Sequence, residues 1–201
     1  MEKQTQIVIA SKNVHKIREL KEMLSPLSNL DILSLLDFPN YTPLEETATS
    51  FSQNAIDKAM HAAKELNKWV IADDSGLVVP ALNGTPGVLS ARYAGKDATY
   101  NDNRKKLLTN MENLEDDDRN AFFECCLALA SPESLKKCVC ATCEGTILKK
   151  EKGGDGFGYD PLFVKNDYNK TFAELDTVIK NKISHRRKAM DKLLLILESL
   201  T

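Results

Sequence analysis

The chain has 201 residues, with 27 lysines and arginines against 29 acidic residues and a formal net charge of −2. This near balance leaves no electrostatic footprint for wrapping nucleic acid, and no apolar run approaches the length of a membrane span. The length suits one domain with a proper core, expected over residues 1–201.

In chain order, "QIVIA" (6–10) predicts a compact strand, and "VHKIRELKEML" (14–24) a helix with Ile17, Leu20 and Leu24 in one stripe. The start, "MEKQTQIVIASKN", lacks the long apolar core of a secretory signal, so a cytoplasmic location is expected. "FSQNAIDKAMHAAKEL" (51–66) predicts a second helix, whose inner face of Ala55, Ala59, Ala62, Ala63 and Leu66 is narrow enough to lie close to a sheet. It feeds the strand "WVIA" (69–72), which ends in Asp73 and Asp74. A helix over 101–111 follows. "DDDRNAFFECCLALAS" (116–131) then moves from a solvated acidic turn into a strand, joined through Ser131-Pro132 to a second strand over 137–148. A final helix over 185–200 turns Ala189, Leu193 and Ile196 to one side. Strands alternating with helices, without an internal repeat, give an α/β fold.

Five cysteines, an odd number, do not make a disulfide framework. In "CVCATC" (138–143), Cys138 and Cys140 share one face of an alternating strand and Cys143 takes the other, without metal-ligand spacing. These cysteines are expected as reduced, small apolar residues.

Four constellations carry possible chemistry. "SKNVHK" (11–16) opens a helix directly after a strand, where backbone N–H groups and the helix dipole join Lys12 and Lys16. That suits a phosphate chain, and Ser11 or Asn13 equally suits a plain helix cap. The acidic set is Glu45 and Glu46 with Asp73 and Asp74, which a crossover helix returns to one end of the sheet. Such carboxylates could share Mg2+, or be a solvated loop and a turn. If the strand persists through Asp73 and Asp74, the two point to opposite faces. "GGDGFGYDPLF" (153–163) combines glycines with aromatic residues and could lay a flat ligand against Phe157, or be a tight turn with an aromatic plug. "KNKISHRR" (180–187) gathers the donors of Lys180, His185 and Arg186 at a helix start, suited to carbonyl or phosphate oxygens.

Taken together, "SKNVHK", "EETATSF..NA..KA", "ADDSGL.V..L.G.PG..SARYAG", "GFGYDP.F" and "K...SHR" resemble, in order and spacing, the Ham1-like inosine/xanthosine triphosphate pyrophosphatases over nearly the whole chain. The resemblance implies an elongated two-lobed α/β fold with a long central mixed β-sheet, as a homodimer. It implies hydrolysis of ITP, dITP and XTP to the monophosphate and pyrophosphate with magnesium, cleansing the nucleotide pool. By the same resemblance, Ser11, Lys12, Asn13, Val14, His15 and Lys16 match the triphosphate loop, and Glu45 and Asp74 the metal ligands. Asp74 also matches the proton acceptor and Ser75 a substrate contact. Phe157, Gly158, Tyr159 and Asp160 match the base-binding segment, and Lys180, His185 and Arg186 the residues that read the purine.

Two positions depart from the pattern. Gln53 stands where the family usually has a carboxylate, which bears on metal affinity, and Ala48 replaces a common glycine. The Maf-like pyrophosphatases share a similar architecture but usually carry a Ser-x-Ser-Pro-Arg-Arg loop that "ASKNVHK" is not. A nucleotide-binding sensor without turnover is the remaining alternative.

Overall fold

The computed structural model describes residues 5–199. Its strands are β1 (Thr5–Ile9), β2 (Leu30–Ser34), β3 (Trp69–Val78), β4 (Asn120–Ala130), β5 (Leu135–Ile147) and β6 (Phe163–Lys165). The helices are α1 (Val14–Leu24), α2 (Phe51–Leu66), α3 (Tyr100–Asn110), α4 (Thr177–Ile183) and α5 (His185–Glu198). The strands form one sheet in the order β2-β1-β3-β4-β5-β6. β1 is parallel to β2 and to β3, whereas β5 and β6 are antiparallel, so the sheet is mixed.

The expected helices 14–24 and 51–66 form with those bounds, and their caps show why. Asn13 Oδ1 accepts the N–H groups of His15 and Lys16, and Ser50 Oγ accepts that of Gln53. Asn67, left-handed at φ 51°, ends α2. Leu200, the last residue of the expected final helix, lies outside the described residues.

Three elements escaped the pattern. β2 is a five-residue edge strand without an unbroken apolar run, and β6, of three residues, and α4, of seven, are too short for periodicity to mark. β3 is longer than "WVIA", because the strand continues through Asp73 and Asp74 to Val78.

The chain divides into two compact units, each with its own core. Unit 1 runs to Asp74 and adds residues 125–141 and the segment from Arg186 on; unit 2 is residues 75–124 and 142–185. In unit 1, Ile17, Leu20 and Leu24 of α1 meet Ile7 and Ile9, Leu127 and Leu129, and Ala189 and Leu193 of α5. Ala55, Ala59, Ala62 and Ala63 of α2 are fully buried. Unit 2 packs Leu77, Leu107, Phe123, Phe163 and Phe172. Here Gly76 is required, since a Cβ would meet Ser90 Oγ and the Gly87 carbonyl. Ser90 Oγ instead accepts the Leu77 N–H at 2.9 Å and donates to Gly87.

One expectation is corrected. Cys126 and Cys140 are joined in a disulfide rather than reduced, while Cys125, Cys138 and Cys143 are free thiols. The tight turn between Ser131 and Ser134 sets β4 beside β5 and brings the two Cα atoms to 4.1 Å. Cross-strand partners depend on register, which the spacing of cysteines along the chain does not display.

Candidate active site

Because β3 stays extended, Asp73 and Asp74 project to opposite faces of the sheet and meet different partners. Asp73 is fully enclosed. Its carboxylate pairs with Lys16 of α1 and with Arg186 Nε at 2.8 Å, and accepts the Cys125 thiol at 3.2 Å. Arg186 also pairs with Glu19. Burial pushes the Asp73 carboxyl up, but Arg186 and Lys16 outweigh it and hold the group well below the usual carboxylate range. The same surroundings push the Cys125 thiol well up, by burial first and then by the Asp73 charge.

Asp74 faces α2. Its Oδ2 accepts Asn54 Nδ2 at 3.0 Å and its Oδ1 lies 3.1 Å from Lys58 Nζ. Lys58 also reaches Glu46 at 2.7 Å and the Asp73 carbonyl at 2.8 Å. Burial raises the Asp74 carboxyl above its ordinary value, Glu46 adds to the rise, and Lys58 and Lys16 oppose it incompletely. For Lys58, burial works against the charge, but Asp74 and Glu46 raise its pKa overall. Asn54 fixes the acidic loop as well, since its Oδ1 accepts the Ala48 N–H at 3.1 Å. Asn54 and Lys58 stand in the quoted motif "NA..KA" without an assigned role; the signal for a role was position, one helical turn apart on the α2 face that meets β3.

Glu45 is exposed, unlike Glu46, and lines a pocket of about 690 Å³ with Tyr41 and His61. Tyr41 Oη and His61 Nδ1 lie 2.8 Å apart, bracing that loop against α2. Gln53 is exposed and its amide donates to Asp57 at 2.7 Å, so the departure from the family pattern at this position touches neither Asp74 nor Glu46.

The expected phosphate loop is built as a capped helix start. Ser11 Oγ accepts the Asn13 N–H, and Asn13 caps the N–H groups of His15 and Lys16. Lys12 and Val14 are exposed, His15 half-buried. Asn13 is therefore the cap, and Lys12 is presented to solvent at a positive helix end.

In unit 2, Ser75 is half-buried on β3. Asp160 is turned inward, accepting Lys180 Nζ at 2.6 Å and the Phe157 N–H at 2.8 Å. Lys180 Nζ also lies 4.8 Å from the centre of the Phe157 ring. Tyr159 is buried and donates to the Ser90 carbonyl at 3.0 Å, and burial pushes its hydroxyl pKa up. His185 stacks on Phe123 with ring centres 4.8 Å apart. Lys180, Asp160 and Phe157 thus come together. Arg186, expected beside them as a purine reader, is committed to Asp73 and Glu19 in unit 1.

The class is an α/β protein with a mixed sheet, an exposed lysine at the start of α1 and a buried Asp74 carboxylate of raised pKa. The particular family follows from comparison with known proteins. The model of the Ham1 family matches residues 7–196. The dITP/XTP pyrophosphatase of Protochlamydia amoebophila is 58% identical over 196 residues, 97% of this chain and 98% of that protein. A relative of the same description from Chlamydia trachomatis serovar D is 53% identical over 188 residues, 93% of this chain and 90% of its own. The solved Ham1 protein of Staphylococcus aureus superposes with a TM-score of 0.85 at 41% identity, covering 98% of this chain and 100% of that one. That of Coxiella burnetii gives 0.87 at 40% identity, with the same coverage. The chain belongs to the Ham1 family.

Proposed function

We propose that this chain hydrolyses dITP, ITP and XTP to the nucleoside monophosphate and pyrophosphate, and so cleanses the nucleotide pool; its relatives are named dITP/XTP pyrophosphatases. The observation that carries the reading is the buried Asp74 carboxylate drawn together with Glu46 on Lys58. On the other face Asp73 and Glu19 pair with Lys16 and Arg186. Lys16 also adds its field at Asp74.

The hard oxygen donors of Asp74 and the neighbouring glutamates fit a divalent cation. Asp74 and Glu45 would hold Mg2+, with Glu46 beside them. When bound, the ion would offset phosphate charge and acidify nearby water.

A triphosphate carries about four negative charges, which must be opposed before a nucleophile approaches. Lys12 and the α1 N-terminus, with Ser11 to Lys16 around them, bind the phosphate chain. Asp74 is the catalytic base. A water oxygen bonds to the α-phosphorus, its proton passes to Asp74, and the bond to the bridging oxygen breaks to release pyrophosphate. The raised pKa of Asp74 suits this task, because a base whose pKa lies nearer the working pH accepts a proton more readily. Lys58 and Asn54 aim its two oxygens. Ser75 is a further substrate contact.

In unit 2, Phe157 to Asp160 take the base. Lys180 and His185 offer donors to a carbonyl at position six, which hypoxanthine and xanthine carry and adenine does not. Arg186 holds Asp73 rather than the purine. The whole chain acts as one catalytic domain, and a cytoplasmic homodimer independent of nucleic acid and membrane belongs to this reading. Among the described residues no helix is long and apolar enough to cross a membrane.

The test is product analysis with ITP, XTP, GTP and ATP, with and without magnesium. Pyrophosphate and monophosphate from ITP and XTP, lost without the ion, are expected. Orthophosphate would mean attack at a terminal phosphorus and would reject the mechanism, while binding without product would favour the sensor.

A further inference from the structure

The glycine-rich segment before Tyr159 is costly to hold in one shape. Gly153, Gly156 and Gly158 sit at φ 81°, 76° and 61°, in conformations that only glycine adopts freely and that a free chain leaves readily. From within, Asp160 accepts the Phe157 N–H, and a Cβ on Gly156 would collide with that carboxylate. From α3, a second set of contacts reaches the segment, and neither the resemblance nor the mechanism above uses it.

Arg104 Nη1 donates to the Gly158 carbonyl at 3.0 Å, and the guanidinium forms an ion pair with Glu151, its Nε 2.9 Å from Oε1 without hydrogen-bond geometry. Glu151 precedes the glycines and Gly158 ends them. One planar guanidinium, whose donors lie in a fixed fork, therefore holds both ends of the segment to the helix, by a hydrogen bond at Gly158 and by charge at Glu151. One turn earlier, on the same face of α3, the Tyr100 ring lies 6.1 Å from the Phe157 ring at a tilt of 49°. Phe157 thus has a tyrosine beside it and the Lys180 ammonium over its ring.

We propose that Tyr100 and Arg104 are positioning residues for purine recognition, fixing the angle and rigidity of the Phe157 to Asp160 segment. The inference rests on the reading that this segment takes the base. A segment already ordered binds without losing further conformational freedom, so its supports show in substrate affinity and base selection rather than in the chemical step.

The experiment is steady-state kinetics with ITP and XTP, alongside competitive inhibition by inorganic tripolyphosphate, which has no base. Arg104→Leu is expected to raise KM for both substrates about tenfold, the scale of one charge-assisted hydrogen bond, with kcat within about twofold. Arg104→Lys keeps the charge without the fork and should recover less than half of the loss. Tyr100→Ala should raise KM about threefold, and Tyr100→Phe should restore it, since the contact is made by the ring. The tripolyphosphate inhibition constant should stay unchanged throughout. An inhibition constant that rises in step with KM would assign Arg104 and Tyr100 to general stability and overturn the proposal.

Phe157→Ala separates the two levels of the argument. If it raises KM while Arg104→Leu and Tyr100→Ala do not, the positioning role fails and the base site stands. If Phe157→Ala itself leaves KM unchanged, the base-site reading fails and the proposal with it.

Discussion

The two units solve the same problem, burying charge, in different ways. Unit 2 uses isolated, compensated groups: Lys180 closed on Asp160, and Arg119 donating to the carbonyls of Ile147, Met111 and Leu148. Aromatic packing among Phe123, Phe163 and Phe172 does the rest. Unit 1 instead sets two connected charge clusters on opposite faces of one strand, Asp73 and Glu19 with Lys16 and Arg186 on one side and Asp74 and Glu46 with Lys58 on the other. The first holds its aspartate well below the ordinary carboxylate pKa, whereas burial leaves the aspartate of the second raised.

The largest expected effect comes from breaking the Asp73 cluster. Arg186→Met leaves the carboxylates of Asp73 and Glu19 buried without the guanidinium that pairs both, and should cost roughly 3–5 kcal/mol, read as a lowered midpoint in thermal or urea unfolding. The preference for ITP over ATP among molecules still folded should be unchanged. Altered base preference at unchanged stability would return Arg186 to the purine.

Next in size is the Asp74 cluster. Asp74→Asn should fold and bind ITP but lose about 10²–10⁴ in kcat, the usual share of a positioned base; near-wild-type turnover would remove Asp74 from the mechanism. Titration sharpens the contrast between the neighbouring aspartates. In the magnesium-free protein the Asp74 carboxyl should titrate above the ordinary carboxylate value of 3.8, read by NMR. Lys58→Met removes a stabilising cation and should move that titration further up in pH.

Asp73 behaves oppositely. Its folded pKa lies well below the ordinary value of 3.8, so its contribution to stability is present above that value. The contribution is lost as pH falls from there toward the folded pKa. Unfolding followed from pH 6 downward should show this loss in the wild type and not in Asp73→Asn.

The smallest effect concerns Gln53. Gln53→Glu sets a like charge beside Asp57 at i,i+4, which should cost about 0.2–0.5 kcal/mol, with magnesium affinity within about twofold of wild type. A large gain in magnesium affinity would show that position 53 does reach the metal.

Much of this was legible along the chain. The helices at 14–24 and 51–66 announced themselves by an apolar stripe and a run of alanines bounded by capping residues. Those signals are local, and burial against a sheet only reinforces them. β2, β6 and α4 were not legible: β2 is as short as β1 but lacks its unbroken apolar run, and β6 and α4, at three and seven residues, are held by what they pack against rather than by their own pattern. Lys58 lay in plain view inside a predicted helix, yet nothing in a lone lysine tells whether it meets water or a carboxylate.

By itself, the sequence determined the α/β class, the family resemblance and the carboxylate pair at Asp73 and Asp74, since hydropathy, capping and motif spacing are written in consecutive residues. Only the tertiary structure decided how the charges are shared. It committed Arg186 to Asp73 and Glu19, bridged Asp74 and Glu46 with Lys58, joined Cys126 to Cys140 and clipped Arg104 across the glycine-rich segment. Each of these joins residues whose distance is set by strand register and helix packing, and no spacing along the chain encodes them.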